Sequence, residues 1–391
     1  MKKKILFVID SLHSGGAEKS LVSLLSLLDY EKFEIDLLLF DKSGLYIPLV
    51  PKAVEKLEVP KYFTYKRGSW AKINLKFEYV RLKNSLLLRS PKYKNKYHTA
   101  QITSKNILSC LDKIDKKYDV AIAYSQGLPT YYVAEKISAN KKLCWINTDY
   151  KKAGYNSDFD KKYYEKYDYI VTVSQKNKEV LEAVYPEFKY KMKVIYDIIS
   201  PKLVKKMADE GEGYTDGFDG IRILTIGRHV NLKGYDMAID AAKILKKYGI
   251  KFRWYSIGEG ILTNKLKKQV KDNGLEDDFI FLGTYTNPYP FIKQCNIYCQ
   301  PSRFEGFGMA IAEAKILETL VISTNFEIIY DQIENMKNGL IVNMNSKDIA
   351  DGINRIISNK KLVTNIKRNI KSEYINIEDE IESINKLLSE Y

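Results

Sequence analysis

Two carboxylates, Glu305 and Glu313, stand eight positions apart in the stretch Glu305-Gly-Phe-Gly-Met-Ala-Ile-Ala-Glu313. On one continuous helix, eight steps of about 100° and 1.5 Å would rotate them by roughly 80° and part them by about 12 Å. That is too far to converge on one small ligand. Gly306 and Gly308 let the chain turn sharply before a helix begins, so Glu305 is expected on a loop and Glu313 on the helix after it. The unpaired N–H groups of that helix's first turn, near Phe307, Gly308 and Met309, would cradle a phosphate. Carboxylate, phosphate cradle and carboxylate suit a sugar nucleotide, with hydroxyls at both ends and a diphosphate between.

Two further stretches carry matching chemistry. Gly227-Arg228 follows an apolar run and Lys233-Gly234 comes shortly after, placing two cations where α/β sheets bind ligands, at a strand's C-terminal end. Fixed cations there stabilise a departing diphosphate without a metal. Near the start, Asp10-Ser-Leu-His-Ser-Gly-Gly-Ala-Glu-Lys19 sets Gly15 and Gly16 between a strand and a helix. The bare backbone can approach a phosphate or a sugar, or the glycines can simply serve a tight turn. Neither G-x-G-x-x-G nor a Walker A sequence occurs, which counts against dinucleotide and P-loop readings, and leaves an NAD-dependent oxidoreductase a distant third.

The glutamate pair with its approach, Gln300-Pro-Ser-Arg-Phe-Glu-Gly-Phe-Gly-Met309, and Asn287-Pro-Tyr-Pro-Phe-Ile-Lys293 upstream resembles the E-x7-E signature of retaining glycosyltransferases of the GT-B fold, family 4. The Gly15-Gly16-Ala-Glu18 loop and the Gly227-Arg228 and Lys233-Gly234 pairs are similar to the family's GGAE and GR…KG patterns. The resemblance implies two Rossmann-like domains facing across a cleft. It puts Glu305 at the donor sugar, Glu313 at the ribose, and Arg228 and Lys233 on the diphosphate, with Gly15 and Gly16 facing donor and acceptor. It implies no cofactor and no metal. One departure stands out: many members carry a His near the end of a first-domain strand, where Trp145-Ile-Asn147-Thr-Asp149-Tyr150 has Asn147. Asn donates a hydrogen bond but cannot shuttle a proton, so the acceptor's proton would pass to the leaving phosphate or to Asp149. Asp149 reads equally well as a turn or helix-capping residue. Of the three histidines, His13, His98 and His229, only His13 in the glycine loop merits a test.

The elements that must position these groups alternate between short β-rich runs and helical patterns, which points to parallel sheets wound with helices. Strands are expected at Lys4–Ile9, Phe33–Phe40, Val120–Tyr124, Leu143–Ile146 and Tyr169–Val173, with a helix from about Ala17 to Leu28. A second series begins at Ile221–Ile226 and continues through Phe252–Ile257, Phe279–Leu282, Ile297–Cys299 and Leu320–Ser323. Between the series, Asp209–Gly220 holds four glycines among several acids. The reading is an acceptor-side domain over 1–200, a linker over 201–220, a nucleotide-sugar domain over 221–372, and a final helix over 373–391 crossing back to the first domain. Asp158-Phe-Asp160 imitates a metal-binding D-x-D, but without nucleotide-binding context it reads as a surface loop. Gly258-Glu-Gly260 reads as a strand-to-helix turn.

At 391 residues, 45% hydrophobic and 29% charged, the chain has room for two cores of ordinary size. No apolar run nears the roughly 18 residues of a membrane span, and Asp10 ends the first apolar run after five residues, too few for a signal peptide. Cys110, Cys144, Cys295 and Cys299 lack metal-ligand spacing and read as reduced core thiols of a cytoplasmic protein. The net charge of +14 is uneven. Between Lys61 and Tyr118, 15 Lys or Arg meet three acids, interleaved with Tyr62, Phe63, Tyr65, Trp70, Phe77, Tyr79, Tyr93 and Tyr97. Such a stretch suits an anionic membrane surface, with a solvated lysine-rich face as the plain alternative and no nucleic-acid module in sight. The resemblance to family 4 implies a retaining transferase moving a hexose from a nucleotide diphosphate, UDP first, to a glycan acceptor. The basic aromatic stretch suggests a lipid-linked acceptor at the inner membrane face, and the family resemblance then implies bacterial capsule, exopolysaccharide or O-antigen assembly. The alternative is a catalytically silent GT-B partner of an active synthase.

Overall fold

The computed structural model describes residues 2–13, 15–66, 73–372 and 378–389. The chain folds as two units, residues 1–198 with 378–391, and residues 199–377.

The first unit is built on seven parallel strands in the order β3-β2-β1-β4-β5-β6-β7. They are β1 (Lys3–Ile9), β2 (Phe33–Leu39), β3 (Glu55–Lys56), β4 (Ile114–Ala123), β5 (Ile137–Ile146), β6 (Tyr169–Thr172) and β7 (Met192–Val194). Parallel strands are covered on both faces, so their sequences run apolar without alternation, as in Ile5-Leu-Phe-Val-Ile9. Ile5, Phe7 and Ile9 enter one core layer, and Leu6 and Val8 the other. β1 pairs with β2 through Ile5↔Ile35 and with β4 through Ile5↔Val120. The chain therefore leaves β1 in opposite directions, and the loops after β1 and β4 open at the sheet's switch point.

The second unit repeats the plan with six parallel strands in the order β10-β9-β8-β11-β12-β13. These are β8 (Ile221–Ile226), β9 (Phe252–Ile257), β10 (Phe279–Gly283), β11 (Ile297–Gln300), β12 (Leu320–Thr324) and β13 (Leu340–Val342). β8 lies between β9 and β11, which puts the loops bearing Arg228 and Glu305 at this sheet's own switch point.

Three expectations change on contact with the structure. The stretch 201–220 is not a loose tether. Pro201–Asp209 is a helix of the second unit, held where Asn287 Nδ2 donates to the Met207 carbonyl at 2.7 Å and Lys293 pairs with Asp209. Asp216 then meets Arg222 and Arg253 at 2.9 Å each and accepts from Tyr255 Oη; burial raises its carboxyl, but Tyr255 first and then the arginines hold it below the usual range. Asp160 is not on a surface loop: it lies on the helix Ser157–Tyr164, buried, accepting from Tyr131 Oη at 2.6 Å and Tyr150 Oη at 2.7 Å. Third, most aromatics of the basic stretch 61–118 turn inward. Tyr62 and Tyr65 pack on Phe77 with ring centroids 5.3 and 5.5 Å apart, and Phe63 packs on Phe40. Trp70 lies outside the described residues.

The helix Glu378–Ser389 belongs to the first unit, where Ile384, Leu387 and Leu388 join the core layer of Ile5 and Phe7. Lys3 Nζ donates to the Ser389 carbonyl at 2.7 Å and Glu380 accepts the Tyr196 N–H at 3.0 Å. Among the described residues, no helix is long and apolar enough to cross a membrane.

Candidate functional site

In the second unit, the loop after β8 carries Gly227, Arg228 and His229. Arg228 is exposed and has no ion-pair partner among the described residues. His229 beside it is buried, with Nδ1 2.9 Å from Thr263 Oγ1 and Nε2 2.8 Å from Ser256 Oγ. Burial foremost, and Lys267 as a like charge, push its pKa down to about 4. A neutral ring wedged between β9 and the turn before Thr263 fixes the loop from which Arg228 projects.

Lys233 closes a short 3-10 turn, Asn231–Lys233, and Gly234 follows in the left-handed conformation at φ 65°. Gly234 is required twice over: any Cβ there would stand 1.9 Å from the Pro301 carbonyl oxygen. That close approach lays the Lys233 turn against the chain leaving β11, and Arg303 N–H donates to the Leu232 carbonyl at 2.7 Å to hold it. The result is a direct ion pair, Lys233 Nζ at 2.7 Å from both carboxylate oxygens of Glu305. Glu305 is only 8% exposed, and Oε1 also accepts from Ser302 Oγ at 2.6 Å and Gln300 Nε2 at 2.9 Å. Gln300 ends β11 and Ser302 follows two residues on, and Gln300 Nε2 also donates to Ser302 Oγ at 2.7 Å. Neither residue carries a part in the motif Gln300–Met309 as read from sequence, because their contacts depend on how the chain leaving β11 meets Glu305.

Glu305 sits on a loop and Glu313 on the helix Met309–Ile316, which starts after Gly308 at φ 92°. Gln332 Nε2 donates to the Phe307 carbonyl and steadies the turn from outside. The helix's first-turn N–H groups face the loop of Glu305, the arrangement that favours an anion. Glu313 is fully buried on that helix, and its Oε1 accepts from Tyr289 Oη at 2.9 Å. A carboxylate so enclosed is held in one orientation. Tyr289, from the Asn287–Lys293 run, is a third residue, after Gln300 and Ser302, whose part the sequence did not disclose.

In the first unit, Gly15 caps the helix Gly16–Leu27 at φ −91° and ψ 167°, values open to any residue. Positive φ does not demand Gly15, but its missing Cβ makes room for the Glu18 carboxylate, which a methyl there would meet at 2.1 Å. Behind this helix, Ser20 Oγ lies 3.0 Å from Tyr124 Oη and accepts the Ile198 N–H at 3.1 Å. Burial first, then Glu18, push the neighbouring Asp197 carboxyl up to about 6, against the hydrogen bond from Ser20. His13 is half exposed and lies 3.4 Å from Asp41 Oδ2.

Asn147 follows β5, its Nδ2 donating to the Tyr124 carbonyl at 2.9 Å and its N–H to Gln126 Oε1 at 3.1 Å. Asn147 Oδ1, an acceptor, and Gln126 Nε2, a donor, are both buried without a partner among the described residues. Asp149 takes the capping option: Oδ1 accepts the Lys152 N–H at 3.0 Å and Oδ2 lies 3.7 Å from Lys152 Nζ. Among the described residues, no group of three or more His, Cys, Asp or Glu converges on a point.

Residues 218–373 match the family model described as glycosyl transferases group 1. An uncharacterized glycosyltransferase of Methanocaldococcus jannaschii is 28% identical over 49% of this chain, and the match spans only half of that relative's length. A Campylobacter jejuni relative, N-acetylgalactosamine-N,N'-diacetylbacillosaminyl-diphospho-undecaprenol 4-alpha-N-acetylgalactosaminyltransferase, is 27% identical over 83% of this chain and 81% of its own. Among solved structures, Anabaena Alr3699/HepE in complex with UDP-glucose superposes with a TM-score of 0.73 at 17% identity, covering all of both chains. With the signature loops gathered at the switch point of the second sheet, residues 218–373 resemble the glycosyl transferases group 1, and the chain has the GT-B fold.

Proposed function

We propose that the protein is a retaining glycosyltransferase that moves a hexosyl group from a nucleotide-diphosphate sugar, UDP-linked first, to a glycan acceptor. The observation that carries this reading is the Lys233–Glu305 pair, set by Ser302 and Gln300 at the N-terminus of the helix bearing Glu313. Glu305 would face the sugar and Glu313, held by Tyr289, the ribose. Lys233, exposed Arg228 and the amides near Phe307, Gly308 and Met309 would hold the diphosphate. Gly15 and Gly16 would approach the donor and acceptor. The cations take the place of a metal as the leaving group gains charge.

In the reaction, the bond from C1 to the phosphate oxygen breaks and the acceptor oxygen bonds to C1 on the same face. The acceptor's proton passes to the departing phosphate. Asp149 is engaged by Lys152, which favours that route over transfer to its carboxylate. The orphaned Asn147 Oδ1 and Gln126 Nε2 suit sugar hydroxyls, each of which both donates and accepts.

The acceptor is proposed to be lipid-linked, as the name of the Campylobacter relative describes for that enzyme, and the setting bacterial surface-polysaccharide assembly at the inner face of the cell membrane. A panel of nucleotide sugars, screened for nucleoside diphosphate release with and without EDTA, tests the proposal. Release of UDP from one UDP-hexose that persists in EDTA is the expected result. No release from any donor would make the protein a silent partner subunit instead.

A further inference from the structure

The helix Leu75–Arg89 shows large apolar side chains to solvent in a row: Leu75 is 80% exposed, Tyr79 62%, Leu82 61% and Leu86 59%. Their spacing of four, three and four residues confines them to an arc of about 60° at 100° per residue, along about 17 Å of helix. The opposite side is the one the protein uses, with Val80 and Asn84 buried and Phe77 packed on Tyr62. Singly scattered exposed leucines are ordinary, but a continuous outward stripe marks an interaction surface.

The flanks of the stripe are basic. Lys76 and Lys83 lie about 80–100° round from Leu75 on one side, Arg89 about 40° on the other, and the short helix Pro91–Lys94 follows with Lys92, Lys94 and then Lys96. Lys83 Nζ stands 5.9 Å from the Tyr79 ring centroid. Glu78 is the helix's one acid, and it lies 3.7 Å from Arg81.

We propose that this outer face docks onto an anionic bilayer, Leu75, Tyr79, Leu82 and Leu86 entering the interfacial layer while Lys83, Arg89, Lys92, Lys94 and Lys96 meet lipid phosphates. Charge complementarity selects the occupant. An apolar stripe with near-uniform positive flanks fits a surface that is apolar below and anionic at its rim. A second copy of this chain would bring the same cations against each other. The inference deepens the proposed lipid-linked acceptor by naming the element that reaches the surface carrying it. It also replaces the aromatic residues named from sequence, since Tyr62, Phe63 and Phe77 are committed to packing within the unit and three leucines take their place.

The test uses the full chain and sedimentation with vesicles of phosphatidylcholine containing 30% phosphatidylglycerol, against phosphatidylcholine alone. Wild type is expected to bind the anionic vesicles, and more weakly at 0.5 M than at 0.1 M salt. Leu82→Glu with Leu86→Glu should cut partitioning at least tenfold. Lys83→Ser with Arg89→Ser should cut it about 25-fold, at about 1 kcal/mol per basic residue. A polarity-sensitive fluorophore on Leu82→Cys should shift to the blue on anionic vesicles only. Equal binding by the Leu82→Glu/Leu86→Glu variant overturns the proposal. So does a wild-type dimer that this variant converts to monomer without changing vesicle binding, which would give the stripe to a second copy. Nucleoside diphosphate release without vesicles should be unchanged in the variant, so a failure of docking and a failure of the transferase reading are told apart.

Discussion

Replacing Lys233 with methionine keeps most of the side chain's length and removes its charge. Wild-type Lys233 Nζ bonds both oxygens of Glu305 at 2.7 Å, with the two side chains 23% and 9% exposed. At an effective dielectric of 20, charges 4 Å apart attract by about 4 kcal/mol before desolvation. The part-exposed lysine and the desolvation of both groups reduce this to a net coupling of about 1–3 kcal/mol. In Lys233→Met, Oε1 keeps Ser302 and Gln300 while Oε2 loses the only partner seen for it among the described residues. A double-mutant cycle with Glu305→Gln, followed by urea unfolding without ligand, reads that coupling directly. UDP titration calorimetry then separates the two roles. Lys233→Met should weaken UDP binding at least tenfold because the diphosphate loses a fixed cation. Glu305→Gln should bind UDP about as well as wild type yet abolish transfer, since its partner is the sugar. A coupling below about 0.3 kcal/mol, or undiminished UDP affinity in Lys233→Met, would refute the reasoning.

Gly234→Ala places a methyl against the Pro301 oxygen at positive φ, so the thermal midpoint should fall by about 5 °C or more, with loss of transfer as the Lys233 turn is displaced. His229 has its folded pKa lowered, so its neutral form contributes stability that is fully present above about pH 6.5 and is lost as pH falls toward about 4. The contribution is on the order of 2–3 kcal/mol. Midpoints from pH 7 to 4.5 should drop steeply in wild type and more gently in His229→Asn. Tyr289→Phe removes one donor from buried Glu313 and should destabilise the second unit by about 1–2 kcal/mol in denaturant titration, while weakening UDP binding. Arg228→Ala should leave the unfolding free energy unchanged within about 0.5 kcal/mol, because its side chain is exposed, while sharply reducing transfer in the nucleotide-release assay.

The strands that could be read from sequence were those buried on both faces, such as β1 and β8, whose apolar runs leave little choice. β3, β7 and β13 escaped because two or three residues, both exposed in β3 and of mixed burial in the others, carry no period. β4 and β5 began earlier than expected, since their first halves, Ile114-Asp-Lys-Lys-Tyr and Ile137-Ser-Ala-Asn-Lys-Lys, mix core residues such as Tyr118 and Ile137 with polar ones and so lack a continuous apolar run. At the site, spacing alone gave the loop-then-helix placement of Glu305 and Glu313. It could not give the Ser302, Gln300 and Tyr289 contacts, which depend on how neighbouring strands and helices meet. The helix Leu75–Arg89 shows why direction is hard to read. Phe77 and Val80 form one apolar stripe and Leu75, Tyr79, Leu82 and Leu86 another, and local periodicity does not say which faces the protein.

The helix Glu378–Ser389 has a consequence for the order in which this protein can be made. Ile384, Leu387 and Leu388 complete the core layer that begins with Ile5, yet the ribosome adds them only after the whole of residues 199–377. The first unit must wait, with the apolar groove for that helix uncovered, while about 180 intervening residues are synthesised and free to fold. The usual N-to-C order of domain completion is thereby reversed. An early stop before residue 378 would leave the second unit whole and the first unit exposing the surface on which aggregation begins.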